Sequence, residues 1–82
     1  IDILHIDIAN NGDIYQFVFD HYIQKIADNG IILMEGGSYK RDNIEWMIKY
    51  NKPKIQPVIE KYKDKYNIKV IGEFPSLTII TF

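Results

Sequence analysis

The chain has 82 residues, no cysteine and a formal net charge of −1. That length holds one domain, residues 1–82, and excludes two; the absence of cysteine excludes a disulfide framework and a thiolate metal site. Apolar residues make up 46% and charged residues 26%, which excludes a disordered ground state and leaves apolar packing to hold a small core.

The longest unbroken apolar run is Ile31 to Met34, so no membrane span is expected. No basic-then-apolar leader opens the chain, and a cytoplasmic location is the expectation. The chain starts at Ile1 inside a strand-like run, which raises the expectation of a piece of a longer protein.

Residues 1–8 read IDILHIDI. Counting by twos, Asp2, Leu4, Ile6 and Ile8 share one face, and Ile1, Ile3, His5 and Asp7 the other. Apolar residues on both faces predict a strand covered on both sides, as in a parallel sheet. Ala9 to Gly12 reads as a loop. A helix is predicted from Asp13 to Asn29, with Asp13 and Gln16 in a capping-box pattern. Ile14, Phe17, Val18, Tyr22 and Ile26 would form its buried stripe, and Asn29-Gly30 would stop it. Ile31 to Met34 is the second strand. Such a strand–helix–strand unit joins parallel strands by a right-handed crossover.

Ser38 or Asp42 opens a further helix to about Tyr50, with Ile44, Met47 and Ile48 as its apolar side. Pro53 marks a break. The next helix runs from Ile55 to Tyr66 on a stripe of Ile55, Val58, Ile59, Tyr62 and Tyr66, with Pro57 in its first turn. Ile68 to Phe74 is a strand, Pro75-Ser76 a turn, and Leu77 to Phe82 the last strand, antiparallel to the one before.

Charge is unevenly spread. Residues 1–39 carry six acids and one lysine, whereas residues 40–69 carry nine bases and four acids. Lys61, Lys63 and Lys65 alternate with Glu60 and Asp64, which reads as a solvated helix face, so no nucleic-acid partner is expected.

Ligands of open parallel sheets bind beyond the carboxyl ends of the strands. Asp7 and Glu35 emerge there, and negative charge at dry strand ends demands a cation, donors or a ligand. Asp7 is either a functional carboxylate or a loop cap. Glu35 is either functional or turned to solvent. His5, two residues from Asp7, is either a base or a hydrogen-bonded core residue. His21 falls on the surface. Gly36-Gly37-Ser38 allows a close backbone approach at a helix start, with Tyr39 and Trp46 as substrate-side candidates. Neither a GxGxxG nor a GxxxxGK[ST] pattern occurs. A Mg²⁺ site from Asp7, Glu35 and Asn10 would be short of ligands.

The run Asp2-Ile3-Leu4-His5-Ile6-Asp7, a helix, and then Gly30-Ile31-Ile32-Leu33-Met34-Glu35 resembles the second half of class I S-adenosylmethionine-dependent methyltransferases. The resemblance covers the whole chain and implies a three-layer, half-Rossmann α/β sheet of order 4-5-7-6, the last strand antiparallel. It implies methyl transfer to an oxygen or nitrogen of a small molecule or sugar. Asp7 would be the catalytic acid beside the cofactor's methyl group, with His5 next to it. Asp7, Ile8 and Asn10 would line the cofactor; Glu35, Gly36 and Tyr39 would face the substrate. Gly36 replaces the second acid or Asn of metal-dependent members, and Ala9-Asn10 replaces their Asp-His pair. The family's Gly-rich cofactor loop lies in a preceding half, which would be this chain's partner in one domain, so the 82 residues alone are expected to be inactive. Two other readings stand beside this one. The first is a non-catalytic half-Rossmann module that associates, as a homodimer, through its first strand's edge. The second is a metal-dependent α/β enzyme using Asp7 and Glu35.

Overall fold

A computed structural model describes residues 3–6, 10–26 and 30–81. Strand β1 is Ile3–Ile6, helix α1 Gly12–His21 and strand β2 Ile31–Glu35. Two short helices follow, α2 (Tyr39–Asp42) and α3 (Glu45–Lys49), then α4 (Gln56–Tyr62). Strands β3 (Asn67–Ile71) and β4 (Leu77–Thr81) close the chain as a hairpin. Among the described residues no helix is long and apolar enough to cross a membrane.

The domain is α/β with a four-stranded open mixed sheet ordered β1-β2-β4-β3. β1 and β2 pair in parallel from Ile3↔Ile31 to Ile6↔Met34. β4 lies between β2 and β3 and is antiparallel to both. This places β1 and β3 at the sheet's edges and β2 and β4 at its centre.

One face of the sheet forms the core. Ile32 and Met34 of β2 and Ile80 of β4 pack with Tyr15, Val18 and Phe19 of α1 and with Ile55 and Val58. Phe19 stacks on Tyr62 with ring centres 4.1 Å apart, which joins α1 to α4 on that face. On the opposite face the edge residues Ile3, His5, Asn67, Lys69 and Ile71 are exposed. The expected three layers are therefore two among the described residues. The reason is directional: both connections that carry α1 and α4 run the same way across the sheet. Only a reversal of direction moves helices to the second face.

The helices are also shorter than their periodicity suggests. α1 ends at His21 and continues as a 3-10 turn over Ile23–Lys25. Ten helical residues rise about 15 Å, close to the length of the strands they recross, so a longer helix would overshoot β2. Its cap is Asn11, whose side chain accepts from the amides of Asp13 and Ile14. Phe17 is 51% exposed and packs on His21, while Tyr15 and Phe19 take the buried positions. The stripe of α4 matches its reading: Ile55 and Val58 are buried, and Ile59, Tyr62 and Tyr66 pack against them.

Candidate functional site

The carboxyl ends of β1 and β2 converge on a polar cluster that the core closes from below. Tyr15 reaches up from α1. Its hydroxyl donates to Thr78 Oγ1 over 2.9 Å, and Thr78 Oγ1 donates to the carbonyl of Gly36 over 2.8 Å. Burial pushes the Tyr15 phenol above its usual range, with the Thr78 hydrogen bond opposing in part. Asn10 is fully buried, and its Nδ2 donates to the carbonyls of Ile6 and Glu35, tying the end of β1 to the end of β2.

Glu35 carries the charge that marked this edge in the sequence. Its partner is Arg41 of α2, in a two-pronged pair: Nε to Oε2 at 2.6 Å and Nη2 to Oε1 at 2.9 Å. Arg41 Nη2 also donates to the carbonyl of Asn10. The guanidinium is buried, and the fold itself supplies the cation that Glu35 demanded. Arg41 was not singled out from the sequence, although it is the lone arginine among nine lysines. A planar fork that grips both carboxylate oxygens is a reason to use Arg where Lys serves everywhere else.

Two atoms of the cluster remain unsatisfied. Asn10 Oδ1 and Arg41 Nη1 are buried without a hydrogen-bond partner. Native interiors leave few such atoms unless a water, ion or ligand group belongs there.

Gly36 and Gly37 have φ of +94° and +113°, where side chains are strained. A Cβ on Gly37 would collide with Thr78 Oγ1. The Gly36 amide donates to the carbonyl of Ser76, so these glycines serve the strand-to-helix turn against the β3–β4 hairpin. Ser38 caps α2 through Arg41's amide, and its hydroxyl donates to the Glu73 carbonyl.

A cleft of about 400 Å³ opens beside this cluster. His5 and Glu35 line it together with Ile71, Leu77 and the hairpin residues Gly72, Pro75 and Ser76. His5 and Glu35 of the sequence reading are thus brought to one cavity, on the sheet face away from the core. Tyr39 points outward and is exposed, and Asn10 lies behind the cleft's rim rather than on it. Asp7 and Ile8 lie outside the described residues. No group of three or more metal-ligating side chains occurs among the described residues.

No family model matches the chain. No curated protein and no solved structure matches it.

Proposed function

We propose that the chain is the carboxyl-terminal half-sheet of an S-adenosylmethionine-dependent methyltransferase whose acceptor enters the cleft at His5 and Glu35. The observation that carries the reading is the strand arrangement: a parallel β1-β2 pair followed by a hairpin whose second strand, β4, inserts antiparallel beside β2. A cleft at the carboxyl edge agrees with it.

S-adenosylmethionine, when bound, would supply an electrophilic methyl group, its sulfur–methyl bond breaking to leave a neutral thioether. Asp7, Ile8 and Asn10 are the residues assigned to hold the cofactor. His5, exposed in the cleft, would take the proton that an acceptor oxygen or nitrogen gives up on forming its bond to carbon. Glu35 orients rather than reacts, because Arg41 holds both its oxygens. For the same reason a metal role for Glu35 finds no support. The acceptor class is a small molecule or a sugar.

The test is tritium transfer from methyl-labelled S-adenosylmethionine by the natural full-length polypeptide to a panel of hydroxyl and amine acceptors. Wild type should transfer label, and Asp7→Asn should lower transfer about 100-fold or more, as for loss of a group that positions the methyl group against the acceptor. The 82-residue chain alone should show no binding of S-adenosylmethionine by calorimetry. A full-length polypeptide that S-adenosylmethionine neither labels nor stabilises thermally overturns the reading.

A further inference from the structure

The expectation against nucleic acid rested on residues 60–65, where Lys63 pairs with Glu60 and the lysines alternate with acids. Residues 39–54, which hold α2 and α3, are different. Lys40, Lys49, Lys52 and Lys54 face one exposed acid, Glu45. The other acid, Asp42, is buried, and its carboxylate accepts from the amides of Ile55 and Gln56 at 2.8 Å each.

The same segment exposes large apolar side chains that the core does not use. Tyr39 is 74% exposed, Ile48 65% and Tyr50 58%. Met47 is the segment's only buried apolar side chain. Trp46 is half-buried, with the Arg41 guanidinium 5.8 Å and the Lys52 ammonium 5.4 Å from its ring centre. The segment is fixed to the rest of the domain through polar contacts. Ser38 caps it, Asp42 anchors it to α4, and the Gly12 amide donates to the Pro53 carbonyl over 2.7 Å. A surface held in place in this way loses little freedom when it binds.

We propose that residues 39–54 bind single-stranded nucleic acid, with the lysines on phosphates and the exposed tyrosine rings beneath bases. Positive charge interleaved with exposed rings is what a strand of stacked bases on a charged backbone requires. A membrane surface calls instead for a long amphipathic helix with an aliphatic face. α2 and α3 have four and five residues, and Ile48 is the one aliphatic side chain exposed between Tyr39 and Lys54. This inference does not depend on methyl transfer.

The experiment is fluorescence anisotropy of a labelled oligothymidylate of about 15 nucleotides, a length matching one such binding site. Trp46, the only tryptophan, gives a second signal through quenching. Raising salt from about 50 to 200 mM should weaken binding about 50-fold if all four lysines meet phosphates. Lys40→Glu with Lys49→Glu should abolish binding. Tyr39→Ala with Tyr50→Ala should weaken it about 10-fold or more at an unchanged salt slope. Lys61→Glu with Lys65→Glu should leave it within about 2-fold, because those lysines lie outside the segment. No binding at the lower salt overturns the proposal. So does equal loss from the Lys61→Glu with Lys65→Glu variant, or binding to phosphatidylserine vesicles without binding to the oligonucleotide.

Discussion

At the scale of single residues, the Arg41–Glu35 pair decides what the strand ends can do. Its geometry is two-pronged, and Arg41 also donates to the carbonyl of Asn10. Removing Arg41 leaves the half-buried Glu35 carboxylate unpaired at the cleft, whereas replacing both leaves no such charge. Arg41→Met should therefore cost about 1–3 kcal/mol in urea unfolding, and Arg41→Met combined with Glu35→Gln should recover part of that loss. A double-variant cost equal to the sum of the Arg41→Met and Glu35→Gln costs would show that the pair is not coupled. Sequence reading reached one half of this arrangement. It located Glu35 because a carboxylate at a strand end needs an explanation, but not the residue that supplies it. Six positions separate the two, across a glycine turn whose path depends on Gly36 and Gly37 at positive φ. Thr78 and Tyr15 were beyond reach for a related reason: they stand 63 positions apart, and a threonine in an apolar strand looks the same whether or not a tyrosine finds it.

At the scale of elements, local signals were legible and remote ones were not. Of the two starts expected, Ser38 and Asp42, Ser38 opens α2, because an N-cap acts on amides within the next three residues. α4 has no side-chain cap at Ile55. Asp42, thirteen residues upstream, supplies the function by accepting from the Ile55 and Gln56 amides. That use of Asp42 accompanies the division of the predicted helix from residue 38 to 50 into α2 and α3, since the carboxylate must face α4. Asp42→Ala should destabilise the domain by about 1–2 kcal/mol, the cost of a lost cap with buried amides left unpaired. Circular dichroism during urea unfolding measures it, and Asp42→Asn should retain part of the stability, because it keeps one acceptor oxygen. A loss below about 0.5 kcal/mol would mean that water satisfies those amides equally well. The order of elements and the antiparallel hairpin were legible because turn chemistry and apolar periodicity are local. The depth of each helix stripe was not. Tyr15 and Phe19 displaced Phe17 because the sheet position, not the helix alone, chooses the buried face.

At the scale of the whole molecule, the sheet has two edges with different defences. β3 alternates exposed and half-buried residues and carries Lys69, a charge that deters pairing with another strand. Among its described residues β1 has no lysine, arginine or carboxylate, and Ile3 is 64% exposed. The described strand contains no proline and pairs with β2 in unbroken register. An edge with those properties offers its free amides and carbonyls to a second copy, most simply antiparallel about a two-fold axis, where each strand presents the same groups to the other. The chain should therefore dimerise as its concentration rises from about 10 to 200 μM in sedimentation velocity, a range in which modest edge pairing becomes visible. Ile3→Lys should shift it to monomer, because a lysine on an edge strand deters pairing with another strand. Ile71→Lys, on β3, should leave the dimer in place. A wild-type monomer at the highest concentration, or a dimer that Ile71→Lys breaks and Ile3→Lys does not, would remove β1 as the associating edge.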